Sequence, residues 1–250
     1  MAAPDLKPPV AFYPESDGTP MAETDLHRDL MLESIEAVKH HFRDAPDVYV
    51  SGNLFIYYED GHPESVVSPD FFVVRGVPKG PRRIFKLWEE NKSPGVVLEL
   101  TSRSTHLEDL GNKRAIYEEI GVEEYFIYDP EGIKFQPQLR AWRLRDGILQ
   151  PMPEVRRGAC GAQVFSSEVL GLELHGSKGA LRWVDPGTAQ PLPIPSELRE
   201  RWMDEVRRAK DERQRAEAER ARADREKQRA DASDAENARL REELARLRGK

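Results

Sequence analysis

A single cysteine, Cys160, stands in a chain of 250 residues. It excludes an intrachain disulfide and favours a cytoplasmic location. Beside Gly158 and Gly161 it reads as a core or loop thiol, and nothing marks it as a nucleophile. No apolar run approaches the roughly 20 residues needed to span a bilayer, so no membrane partner is expected. Met1-Ala2-Ala3-Pro4-Asp5 has neither the basic start nor the apolar run of a signal peptide, and none is expected. His27, His40 and His41 have no zinc-type spacing with cysteine. Residues 197–248 contain neither proline nor glycine.

Positive charge is also scarce where nucleic acid would need it. Residues 197–250 carry 17 Lys+Arg against 15 Asp+Glu, a balance of +2. The other 196 residues therefore carry −9 of the chain's net −7. An acidic globular part is a poor footprint for phosphate neutralisation unless the positive charge is local or metals bridge the phosphates. Charged residues make up 33 % of the chain and hydrophobic ones 38 %, so part of it is expected to have no core.

Proline and glycine mark the organisation. Residues 1–20 hold Pro4, Pro8, Pro9, Pro14, Gly18 and Pro20 and read as an extended leader packed through Phe12 and Tyr13. Residues 21–185 read as the globular domain, 186–195 as a Pro-rich linker, and 196–250 as a long charged helix of about 80 Å. With Trp202 at heptad position a, that position continues as Ala209, Ala216, Ala223, Ala230, Asn237 and Leu244, and only the two ends are apolar. A marginal coiled coil closing at Leu240, Leu244 and Leu247 is expected, with a solvated helix laced by i,i+4 ion pairs as the alternative. A homo-oligomer, most simply a dimer, is expected through residues 196–250, through the globular domain, or through both.

Within the globular part, Leu26, Leu30, Ile35, Val38 and Phe42 recur at helical spacing after the candidate cap Thr24, which predicts a helix over about 25–43. Strands are predicted at 48–50, 53–58 and 70–75, and a short helix through Phe85, Leu87 and Trp88. Pro94-Gly95 and Thr101-Ser102 bound a further strand, Val96–Leu100. Thr105 and Glu108 fit a capping box for a helix to about Ile120, with Gly121 at its C′ position. Tyr125–Tyr128 reads as a strand, Leu139–Leu144 and the segment at Ile148 as an antiparallel pair, and 163–185 as further short apolar runs.

The most unusual side chain is Glu99, inside Val96-Val97-Leu98-Glu99-Leu100. A carboxylate is rarely buried unless paired or bound to metal. Asp70, opening an earlier strand after Pro69, is the candidate partner. Alone it would read as a turn residue. Two carboxylates on neighbouring strand ends suit Mg²⁺ or Mn²⁺, because such ions take oxygen ligands and keep several waters. Thr101, two residues after Glu99 on the same strand face, can add a hydroxyl or its backbone carbonyl but no positive charge. Lys113 on the next helix is the nearest lysine able to point back, and Tyr117 shares its face one turn later. By itself Lys113 reads as a solvated helix lysine. Lys79, Arg82 and Arg83 read as a solvated loop rather than a phosphate contact.

Ser68-Pro69-Asp70, Val97 through Thr105, Asp109, Lys113, Tyr117, Gly121 through Tyr125 and Asp129-Pro130 together resemble the Uma-two family of restriction endonucleases, within the PD-(D/E)xK nuclease superfamily. The resemblance covers roughly residues 18–185. It implies an α/β (α+β) restriction-endonuclease-like fold, a mixed four- or five-stranded sheet flanked by helices, with the long C-terminal helix added. It also implies a divalent metal, Mg²⁺ or Mn²⁺, and DNA as substrate. Asp70 and Glu99 would be metal ligands, with the Thr101 backbone carbonyl beside them. The chain departs from the superfamily pattern by placing Thr101 where lysine is expected, and Lys113 would replace that lysine. An acid from the first helix region often completes such sites. Glu23 and Glu33 are the candidates, with His27 and Tyr117 in supporting positions. The expected function is a Mg²⁺-dependent endonuclease hydrolysing DNA phosphodiester bonds. The alternative is a catalytically silent nuclease-like fold serving assembly through its C-terminal helix. An enzyme on another phosphate-bearing substrate stands third.

Overall fold

Alternating side chains on one central sheet divide the core into two layers. A computed structural model describes residues 11–16, 18, 24–101, 109–158 and 161–248. The chain divides into two compact units after Pro195.

In the first unit, helix α1 spans Asp25–His41. Strands β1 (Val48–Ser51), β2 (Ile56–Tyr57), β3 (Val66–Val67), β4 (Phe71–Arg75) and β5 (Phe85–Lys86) follow. Next come α2 (Leu87–Glu90) and β6 (Val96–Leu100). A π-helical turn, Asp109–Lys113, leads into α3 (Arg114–Glu119). Then come β7 (Glu124–Tyr128), β8 (Leu139–Arg145), β9 (Ile148–Pro151), β10 (Arg156–Arg157), β11 (Gln163–Ser167), β12 (Leu172–Ser177), β13 (Ala180–Asp185) and β14 (Gln190–Pro191).

The central sheet has six strands in the order β1-β4-β6-β7-β8-β9. Only β6 and β7 run parallel in it, and that is the pair joined through α3. A second sheet, β10 through β14, is an antiparallel meander in chain order, and β3-β2-β5 form a third. The short apolar runs at 163–185 are thus the middle of a second sheet. The aromatic stretch expected as a strand over 53–58 narrows to Ile56–Tyr57, and the expected helix around Phe85 is split into β5 and the single turn α2.

On β6 the alternation is direct. Val96, Leu98 and Leu100 join α1, Phe126 on β7 and Trp183 on β13 in one buried cluster. Val97 joins Tyr117, Tyr125 and Ile127 in the other. Each fully buried side chain of this type contributes about 1.5–3 kcal/mol. Glu99 shares the face of Val97, so it points into the layer covered by α3.

Tyr13 packs on Tyr57, ring centroids 4.9 Å apart, and its hydroxyl meets the Asp60 carboxylate at 3.0 Å. Phe12, expected to pack with it, is 80 % exposed instead. Its neighbour has taken the one aromatic slot against Tyr57 and Trp88.

The second unit is a helix, α4, spanning Pro195–Arg248, 54 residues long. Its described side chains beyond the first turns are exposed. Ion pairs at i,i+4 lace it, among them Arg213–Glu217 at 3.0 Å and Arg222–Glu226 at 3.2 Å.

Candidate active site

The start of β4 and the end of β6 lie side by side because the two strands are antiparallel. Phe71 pairs with Leu98 and Phe72 with Val97, so the next step of the register sets Asp70 across from Glu99. A hydrogen bond fixes this junction. The Leu100 amide donates to Asp70 Oδ2 at 2.7 Å.

The other Asp70 oxygen is held from α1. Thr24 caps that helix, accepting the His27 amide at 3.2 Å. The cap sets the first turn, and His27 Nε2 reaches Asp70 Oδ1 at 3.1 Å. A carboxylate only accepts, so Nε2 is the protonated nitrogen in this contact.

Approach of this turn to β1 requires glycine at position 52. A Cβ there would lie 2.0 Å from the Asp70 carbonyl oxygen and 2.7 Å from Ile35 Cδ1. Beside it the Asn53 amide donates to the Pro69 carbonyl at 2.8 Å. Gly52 falls between the strands expected at 48–50 and 53–58, and nothing in the local sequence announces this contact.

Glu99 is 1 % exposed. Two side chains one helical turn apart converge on its Oε1: Lys113 Nζ at 3.1 Å and the Tyr117 hydroxyl, donating, at 2.6 Å. Lys113 ends the π-helical turn, a feature often found at functional sites. Tyr117 is wholly buried, and its ring centroid lies 5.2 Å from that of Tyr125, which stacks on Trp142. Burial pushes the Tyr117 phenol well above its ordinary range, and the Glu99 charge raises it further. The phenol therefore stays neutral and remains a donor to Glu99.

Thr101 follows β6 and is 4 % exposed. Its amide donates to the Tyr128 carbonyl at 2.8 Å, while its hydroxyl oxygen is buried with no hydrogen-bond partner among the described residues. Glu33 is half-buried on α1, six residues past His27. Glu23, and the Thr105–Glu108 capping box, lie outside the described residues.

The donor set is suited to a small hard cation. Asp70 and Glu99 offer carboxylate oxygens at adjacent strand ends, and Thr101, two residues past Glu99, carries a buried hydroxyl with no partner among the described residues. Among the described residues no group of three or more histidine, cysteine or carboxylate side chains is arranged to hold an ion. Mg²⁺ needs only one or two carboxylates, completed by water and substrate oxygens.

Two other buried acids escape sequence reasoning. Glu124, on β7 beside β6, is 1 % exposed and meets Arg143 Nη2 at 2.9 Å, the Glu168 amide at 2.8 Å and the Ser167 hydroxyl. Glu173 is paired with Arg156 and with His175 Nε2 at 2.9 Å. Arg143, Ser167 and Arg156 come from other strands, so no local pattern announces these pairings. Both acids are held by guanidinium groups and serve packing between strands.

Comparison with known proteins reaches the level of family. No curated protein matches the sequence. A crystal structure titled as a "putative nuclease belonging to DUF820" from Anabaena variabilis ATCC 29413 aligns with 13 % identity and a TM-score of 0.40, over 57 % of this chain and 76 % of that one. The Uma2 family profile, described as "Putative restriction endonuclease", matches residues 12–166 and so takes in α1, β4, β6 and α3. The chain belongs to the Uma2 family.

Proposed function

We propose that this protein is a Mg²⁺- or Mn²⁺-dependent endonuclease that hydrolyses DNA phosphodiester bonds at the Asp70–Glu99 junction. The observation that carries this reading is the convergence of Asp70, Glu99 and Lys113 at one end of two adjacent strands. Asp70, Glu99 and the Thr101 backbone carbonyl are the groups that would hold the ion. When bound, it supplies Lewis-acid activation of water and neutralises charge at the scissile phosphate.

The chain's own residues do the rest. His27 and the Leu100 amide fix the two Asp70 oxygens, and such supporting contacts orient metal-binding carboxylates. Tyr117 fixes Glu99. Lys113 brings a positive charge to the carboxylate edge, where negative charge develops on the phosphate in the transition state. Its side chain is 17 % exposed, so it borders solvent while Glu99 does not.

The test is incubation of the full chain with supercoiled and single-stranded DNA in Mg²⁺ or Mn²⁺. The reading expects cutting that EDTA abolishes. Absence of cutting under every metal, or cutting that EDTA leaves intact, contradicts it.

A specific observation also favours assembly through α4 with a second copy of the chain. Trp202, Met203 and Val206 near one end and Leu240 and Leu244 near the other are each about half exposed or more. Light scattering of the full chain should give a dimer mass that Leu240→Asp with Leu244→Asp lowers. An unchanged mass would remove α4 from the interface.

A further inference from the structure

A cleft of about 570 Å³ opens along the free edge of the central sheet. Strand β1 is the outer strand there, with β4 as its neighbour. The cleft is lined by Lys39 near the end of α1 and Arg43 in the turn after it, by Tyr49 and Ser51 on β1, and by Lys79 and Arg82 from the loop before β5. Four of its lining residues are cations and none is a carboxylate. This is a concentrated basic site on a part of the chain that carries −9.

Each cation is placed differently. Arg82 is fixed: its guanidinium lies 4.1 Å above the Tyr49 ring and pairs with Glu90 at 2.6 Å. Lys79 Nζ donates to the Phe42 and Arg43 carbonyls at 2.6 and 2.9 Å. This offsets the negative end of α1, which would otherwise repel an anion. Among the described residues Lys39 and Arg43 make exposed contacts, Lys39 with Glu36 at 3.2 Å, and Arg43 with Asp44 at 3.4 Å, with His40 Nε2 at 3.4 Å and with the His40 carbonyl at 3.5 Å. Such surface pairs are worth about 0–1 kcal/mol and exchange readily for a phosphate.

The cleft also leads to the acids. Ser51 at its near end pairs with Phe72, two residues from Asp70. From Val48 to Ser51 the strand advances about 10 Å, room for roughly three phosphates at about 3.4 Å of axial rise each. We propose that this β1-edge cleft is the phosphate-backbone track that guides a nucleic-acid strand toward the Asp70–Glu99 junction. The proposal rests on the nuclease reading for its purpose. The loop of Lys79 and Arg82, which looks merely solvated in the sequence, becomes part of a binding surface once α1 and β1 are packed beside it.

The experiment is fluorescence anisotropy of a labelled 16-base-pair duplex, and of its single strand, titrated with the full chain without divalent metal over a range of salt. The variants are Lys39→Glu with Arg43→Glu, the milder Lys39→Ala with Arg43→Ala, and Arg145→Glu on β8, away from the β1 edge. Thermal melting verifies that each is folded. The track predicts at least about tenfold weaker binding for the double reversal at about 0.15 M salt, and a salt-dependence slope smaller by about two. The alanine pair should show a lesser loss in the same direction, and Arg145→Glu little change. Wild-type affinity in both double variants, an equal loss in Arg145→Glu, or no binding by the wild type at low salt would overturn it. Cutting assays on the same preparations separate the two readings. Cleft-dependent binding without cutting removes only the nuclease reading, and cutting with cleft-independent binding removes only the track.

Discussion

The carboxylate of Asp70 accepts the backbone amide of Leu100 at 2.7 Å, so the acid opening β4 is tied to the residue that follows Glu99. The two carboxylates are thereby set by sheet register rather than by a mobile loop. A site carried on strand ends is held more precisely than one on loops.

Gly52 guards this register. In Gly52→Ala the new methyl meets the Asp70 carbonyl oxygen, which is backbone and cannot swing aside. A cost of about 1–3 kcal/mol in stability is expected. Chemical unfolding measures it. Metal affinity by calorimetry should fall in the same variant, because the Asp70 turn has to shift.

His27 supports Asp70 from α1. Removing such a supporting contact typically costs about 10–100-fold in metal affinity. His27→Ala should weaken Mn²⁺ binding by an amount in that range, read by titration calorimetry, with α1 retained by circular dichroism. Unchanged affinity would reduce the contact to packing.

Tyr117 links the site to alkaline stability. Its folded pKa lies above its ordinary value of 10.0. The native state therefore keeps a proton that the unfolded state releases once pH exceeds about 10. The contribution is complete below that pH and is lost as pH rises toward the folded value. Tyr128, raised to about 12 by burial, adds in the same direction. Tyr117→Phe should lose about 1.5–3 kcal/mol at neutral pH, the worth of a hydrogen bond to a charged group. It should also flatten the decline above pH 10 in urea titrations, and an unaltered slope would contradict the assignment.

Glu124 supplies the contrast with Glu99. Both are buried strand acids, but Glu124 is clasped by Arg143 away from the Asp70 junction. In Glu124→Ala the Arg143 guanidinium keeps Glu168 and the Ser166 carbonyl, while the buried Ser167 hydroxyl and the Glu168 amide lose their acceptor, and a loss of about 1–3 kcal/mol is expected. Folded protein recovered at low temperature should still bind Mn²⁺ with wild-type affinity.

Much of the site's placement was legible because it breaks local rules. Glu99 interrupts an aliphatic run, Asp70 follows proline at a strand start, and Lys113 and Tyr117 are spaced to share a helix face. The helix at α1 announced itself through Leu30, Ile35 and Val38 and ended at His41, close to the expected 43. What stayed hidden is what long-range pairing creates. Gly52 matters only because Asp70 is packed on it. Glu124 could not be ranked beside Glu99 without Arg143 and Ser167 from other strands. The second sheet was invisible as a unit because its strands become a meander only when Phe165, Leu174 and Trp183 meet the central sheet. Likewise the local basic charge emerges only when Lys39 and Arg43, at and just past the end of α1, join Lys79 and Arg82 in lining one cleft.

The most direct measurement is the single-turnover rate of Mn²⁺-dependent DNA cleavage by wild type and by Glu99→Gln. Glutamine keeps an acceptor for Tyr117 and Lys113 while removing the charge that would hold the ion. The account predicts cutting by the wild type and a loss of at least about a thousandfold in the variant, roughly 4 kcal/mol of barrier, with the fold intact by circular dichroism. A folded Glu99→Gln protein that cuts at the wild-type rate would contradict it.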